Sequence, residues 1–180
     1  MAGMPPYPDD FGKLLDDVAR HAERFAAHAR TVDLDAEVWI FDSAGPARFW
    51  LRQTIMEVAL HVWDAARTVG HPSPLTPEIA VEGLEQFCVM QHHRGRWWGD
   101  PWTPPVTPFG ITATDTGASW LMFADGDRGS YQPGRAAEAP VRATAPAESL
   151  YLWFAGREAP DDVEIVGDPA VAQAWLPQMA

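Results

Sequence analysis

The sequence holds a single cysteine, Cys88, so no disulfide can form within the chain, which fits a reducing compartment. Cations are scarce. Thirteen Lys and Arg stand against 25 Asp and Glu, a formal net charge of −12. Such a chain is a poor candidate for binding nucleic acid or an anionic membrane, so neither is expected as a partner. No uninterrupted apolar run reaches the ~18 residues of a membrane span. The opening MAGMPPYPDDFG has neither the basic start nor the apolar run of a signal peptide. The expectation is a soluble cytoplasmic protein. No repeat of fixed period is present. Missing too are a nucleophile elbow, a glycine-rich phosphate loop and a CxxC pair, which weakens hydrolase, nucleotide-binding and zinc-ribbon readings.

The 180 residues are 47% hydrophobic, enough for one compact domain or two small ones. The stretch from Pro46 to Gly70 organises the rest. Pro at a first helical position and Gly just past the end predict a helix there. Phe49, Trp50, Leu51, Ile55, Met56, Val58, Leu60, Val62 and Trp63 cover most of its circumference, which predicts burial on more than one side. Thr54, Glu57, His61 and Asp64 form one narrow polar stripe. Before it, Asp9 or Asp10 caps a helix to about Thr31, whose seam of Phe11, Val18, Phe25 and Val32 should be buried. His21 and His28 border that seam. Trp39, Ile40 and Phe41 suggest a brief extended segment.

Thr76-Pro77-Glu78 starts a third helix to about Gln91. Cys88 lies mid-helix with no cation or helix N-terminus near it, so it reads as packing. Proline and tryptophan then dominate, with Trp97, Trp98 and Trp102 held on a surface. The adjacent His92 and His93 cannot share a helix face, so a shared metal is not expected for them. Period-two patterning follows: strands near 110–116, 119–124, 138–144 and 163–166, a short helix over 145–156 and a last one to Trp175. The turn at Asp125–Gly129 lacks the register of a calcium loop. The fold class is α+β, with a helical part at 1–95, a connection at 96–108 and an α+β part at 109–180.

Two groups carry candidate chemistry. Glu57 and His61, four apart, are half of a divalent-metal site, zinc above all. Asp64 could be a third ligand or could orient the imidazole. The same pair could equally be a buried Glu–His contact without metal. Arg157 follows Gly156 at a helix end. A cation there gains ~0.3–1 kcal/mol from the helix dipole, or it could serve as a fork for a substrate carboxylate.

FWLRQTIMEVALHVWDAA, with ESLYLWFAGREAPDDVEIVGDPAV far downstream, resembles the mycothiol-dependent maleylpyruvate isomerase family. The family joins a four-helix bundle of the DinB type to a domain like sterol carrier protein 2. The resemblance runs from about Phe11 to Trp175. It implies that Glu57 and His61 bind a divalent metal, usually zinc, and that Arg157 is a catalytic residue that holds carboxylates of a small substrate. Mycothiol would be the thiol cosubstrate. Its thiolate adds to the double bond of maleylpyruvate, the bond rotates, and elimination gives fumarylpyruvate. Related members look like thiol S-transferases. The family has two further helices ahead of the one that opens here, and the second carries a third, histidine ligand. Relative to that pattern this chain offers two matched ligands and half of a bundle, with three explanations: a natural protein that is longer, a homodimer that pairs the apolar faces with His21 or His28 in place of the ligand, or a repurposed member without the isomerase reaction. Non-catalytic small-molecule binding and helix pairing are the alternatives to an isomerase or S-transferase.

Overall fold

The computed structural model describes residues 10–95, 102–157 and 161–176. The expected lead-in at residues 1 to 8, and Trp97 and Trp98 of the connection, lie outside them. Helix α1 spans Phe11–Ala29, capped by the Asp10 carboxylate, which accepts from the Gly12 and Lys13 amides. Strands β1 (Glu37–Ile40) and β2 (Ser43–Pro46) form an antiparallel hairpin. Helix α2 spans Arg48–Thr68. Pro46 is therefore not its first helical residue: it ends a strand, paired with Glu37, where its missing N–H costs nothing. Helix α3 (Pro77–Met90) has the expected Thr76 cap.

Five strands form the main sheet: β3 (Phe109–Ala113), β4 (Ser119–Asp125), β5 (Arg128–Pro133), β6 (Val141–Ala145) and β7 (Glu164–Val166), in the order β5-β4-β3-β6-β7. Only β3 and β6 run parallel. Helix α4 (Ala147–Phe154) precedes β7 and α5 (Pro169–Trp175) follows it. One core joins Met56 and Leu60 of α2, Leu84 and Phe87 of α3, Ile111 and Met122 of the sheet, and Tyr151 and Phe154 of α4. Helices α2, α3, α4 and α5 thus share one interior with the sheet.

The α3–α4 contact depends on Gly83. A Cβ there would fall 2.2 Å from the Tyr151 ring. Without it the buried Tyr151 reaches past α3 and donates to the Met56 carbonyl of α2 at 2.8 Å. Glycine weakens a helix by ~1 kcal/mol, a cost this close approach offsets.

Two burial expectations need correction. Helix α2 buries only Phe49, Met56 and Leu60; Ile55, Val58 and Val62 face water. The α1 seam is open as well, with Val18 58% and Phe25 42% exposed. Both stripes have the spacing of packing faces, but no described element covers them.

Candidate functional site

The polar stripe of α2 lies at the surface. His61 Nε2 is 3.8 Å from Glu57 Oε2, and His61 Nδ1 is 3.5 Å from Asp64 Oδ2. The imidazole is 72% exposed and the two carboxylates are partly exposed. Thr54 of the same stripe turns back to donate to the Trp50 carbonyl at 2.9 Å.

Arg157 arrives from the other half of the chain. Helix α4 ends with Gly156 at φ 72°. The Gly156 amide donates to Trp153 O and the Arg157 amide to Leu152 O, the paired bonds of a glycine-terminated helix. That turn sends the guanidinium to α2. Its Nε donates to Asp64 Oδ1 at 3.2 Å, its Nη2 to Asp64 Oδ2, and its Nη1 to the Ala155 carbonyl at 2.7 Å. The Arg157 hydrogen bonds hold the Asp64 carboxyl below the usual range. The structure thus brings together all four residues expected from sequence.

A divalent ion fits this arrangement only in part. Glu57 and His61 are suitable donors at the right spacing. Both oxygens of Asp64 accept from the Arg157 guanidinium. No cluster of three or more His, Cys, Asp or Glu that could hold a metal occurs among the described residues.

Glu57 also begins a polar chain into the interior. Gln53 Nε2 donates to Glu57 Oε1 at 2.9 Å, and Gln86 Nε2 donates to Gln53 Oε1 at 3.0 Å. Gln86 is fully buried, and its Oε1 has no partner among the described residues. It lines a cavity of about 530 Å3 between the hairpin, α2, α3 and β5. Arg52 and Tyr131 also line this cavity. Arg52 donates through Nε to Glu82, and the Tyr131 hydroxyl donates to Glu85 at 2.7 Å.

A second network reaches the cavity through His93. Buried His93 places Nδ1 2.7 Å from Asp42 Oδ1, and Arg128 donates to Asp42 Oδ2 at 3.1 Å. Burial raises the Asp42 pKa, but His93 and Arg128 outweigh it and hold the carboxyl low. Asp42 sits at the hairpin tip beside Phe41, whose φ of 49° is a left-handed conformation costing ~1–2 kcal/mol. Rings of Phe49, Trp50 and His93, with centroids 5.3–5.5 Å away, hold Phe41 there. Sequence reading missed this network and the cavity. The one available signal, a short gap between VWIF and SAGP, marks a hairpin but not its docking site.

The fold defines an α+β protein whose helical N-terminal part carries a Glu-x-x-x-His face, clamped by an arginine from its C-terminal part. Residues 2–66 match the mycothiol maleylpyruvate isomerase N-terminal domain family. The match includes α1, the hairpin and the part of α2 bearing Glu57, His61 and Asp64. A solved structure described as UbiJ-SCP2 Ubiquinone synthesis protein is similar over 58% of this chain and 91% of that chain, at 16% identity and a TM-score of 0.32. No curated protein matches the chain. No described helix is long and apolar enough to cross a membrane.

Proposed function

We propose that the chain is a metal- and mycothiol-dependent isomerase or S-transferase homologue of the maleylpyruvate isomerase family, working in the cytoplasm on a small carboxylate-bearing substrate. The observation that supports this reading is that Asp64 joins the Glu57–His61 pair of α2 to Arg157 from the turn after α4. Zinc, when bound, supplies a Lewis acid that favours the thiolate of a bound thiol. Glu57 and His61 are the two donors this chain offers it. Arg157 is the group for substrate: a planar guanidinium matches a carboxylate through two parallel bonds. Asp64 already makes those bonds, so a substrate carboxylate binds by displacing Asp64 and meets a pre-oriented fork.

The test is mycothiol-dependent conversion of maleylpyruvate by the purified chain. Turnover should require the thiol and vanish in His61→Ala. Arg157→Lys should raise KM at least tenfold, because an ammonium cannot reproduce the fork. Turnover equal with and without thiol, or unchanged in His61→Ala, contradicts the reading.

The cavity beneath the hairpin favours a second reading, non-catalytic binding of a small molecule. Its size is in the range of ligand sites, and its walls mix apolar groups with a few polar ones. Saturable binding of a small acid that is lost in Arg52→Gln but unaffected in His61→Ala would favour it.

A further inference from the structure

The cavity between the hairpin, α2, α3 and β5 is lined by polar groups that the metal and thiol chemistry does not use. The first is the Gln86 amide, whose orientation follows from its neighbours. A carboxylate can only accept, so Gln53 turns its NH2 to Glu57. The Gln53 oxygen then accepts from the Gln86 NH2. The atom left over is Gln86 Oε1, an acceptor, fully buried and without a partner among the described residues. The second group is the half-buried Glu85 carboxylate. It accepts from the Tyr131 hydroxyl at 2.7 Å and from the Trp120 indole, both neutral donors. Among the described residues no cation forms an ion pair with it. A carboxylate has room for more than two donors. Withdrawn from water without a counterion, beside an amide oxygen that lacks a donor, it calls for a positively charged donor. The third group is Arg52. Its Nε donates to Glu82 at 2.8 Å, and its Nη groups have no partner among the described residues. Arg48, the other arginine of the lining, is engaged by Asp35.

We propose that this cavity binds a free α-amino acid with an apolar side chain. Its ammonium group meets Glu85 and the Gln86 oxygen, its carboxylate meets the Arg52 guanidinium, and its side chain packs on Ile40, Phe49 and Val89 of the wall. The proposal rests on the second functional reading, small-molecule binding in this cavity, and names the class of the molecule. The spacing suits it. Residues 82, 85 and 86 share one face of α3, three to four positions apart, a rise of about 4.5–6 Å. Arg52, held at Glu82, therefore stands about one turn from Glu85 and Gln86. An α-amino acid carries its two charges on adjacent carbons. With a hydrogen bond of ~2.9 Å added at each end it spans such a gap. A lone carboxylate would satisfy Arg52 and leave both acceptors without a donor. A lone amine would satisfy the acceptors and leave the arginine fork unused. At about 530 Å3 the cavity holds the zwitterion and the waters that complete its hydrogen bonds.

The test is calorimetric titration of the purified chain with L-leucine, L-methionine and L-phenylalanine. At least one should bind saturably at millimolar concentration or below. The best binder is then compared with the amine and the acid that each lack one of its charges. For leucine these are 3-methylbutylamine and 4-methylpentanoate. Each should bind more weakly by about tenfold or more, the loss of one charge-assisted contact. This comparison uses the wild-type chain, so no variant has to fold for it. Two variants then assign the ends. Glu85→Gln, which keeps an acceptor for Tyr131 and Trp120, should weaken the amino acid about tenfold and leave the acid unchanged. Arg52→Gln should weaken the amino acid by a similar factor and leave the amine unchanged. Failure of all three amino acids to saturate overturns the proposal. So does an acid or an amine that binds as tightly as the amino acid. An acid that binds equally well leaves the cavity as a small-molecule site and removes only the amino-acid assignment. If the acid, the amine and the amino acids all fail, the second functional reading falls as well.

Discussion

Asp42 and Asp64 show how single carboxylates are used in this chain. Both are held ionised by donors from distant sequence: His93 and Arg128 for Asp42, Arg157 for Asp64. A carboxyl whose pKa is depressed by folding contributes stability that is present above its unfolded pKa, ~3.9, and is lost as pH falls through the folded value. Asp42→Asn should therefore lower stability at pH 7 by about 1–2 kcal/mol, since it weakens two charge-assisted bonds at a mostly buried pair. Urea unfolding at a series of pH values checks it: the gap between wild type and variant should close below about pH 4. A gap that is constant with pH would assign the loss to packing. Cys88 provides the opposite case. Burial, and then the nearby Glu85 charge, push its thiol well up. A thiol reagent should leave the native chain unlabelled and label it stoichiometrically in urea. The spacing of Glu57, His61 and Asp64 was readable at this scale, because i, i+3 and i+4 positions on a helix share a face. The partners Gln53–Gln86 and Asp42–His93 were not readable. They join residues 33 and 51 apart, and nothing local announces such contacts.

At the scale of elements, termini were more legible than burial. Thr76-Pro77 began α3 as expected, and Gly156 turned the chain after α4 so that Arg157 points to α2. Those signals are chemical and local. The reading of Pro46 as a helix start failed for a tertiary reason: β1 claims residues 43–46 as its partner strand. Strand β5 has no counterpart in the sequence reading, which sees a turn at Asp125–Gly129 and no element at 130–133, since Arg128–Pro133 carries only Tyr131 as a strand former. Gly83 in α3 was likewise silent, because only the arrival of Tyr151 gives it a role. Gly83→Ala should drive a methyl into that ring and cost about 1–3 kcal/mol, read as a lower urea midpoint with an unchanged slope. A substitution that stabilises, as Ala usually does in a helix, would mean that the α3–α4 contact is looser than described.

For the whole molecule, the α+β class followed from the switch of hydrophobic period after the proline-rich connection, and the sheet confirms it. Sequence pattern divides the chain at 96–108, yet one core draws on both sides of that stretch. A one-dimensional pattern reports which faces are apolar but not what they meet. The same limit explains α1 and α2: the apolar stripes are there, but the burial expected of them is not, among the described residues. Leaving Val18, Phe25, Ile55, Val58 and Val62 in water forgoes ~1–2 kcal/mol for each side chain. The Glu57–His61 face of α2 is the centre of the proposed function. The most direct test is calorimetric titration of zinc into the chelator-stripped chain at neutral pH. The account predicts saturation near one zinc per chain, with binding abolished in His61→Ala while the variant keeps its fold. A folded wild-type chain that takes up no more zinc than His61→Ala would contradict it.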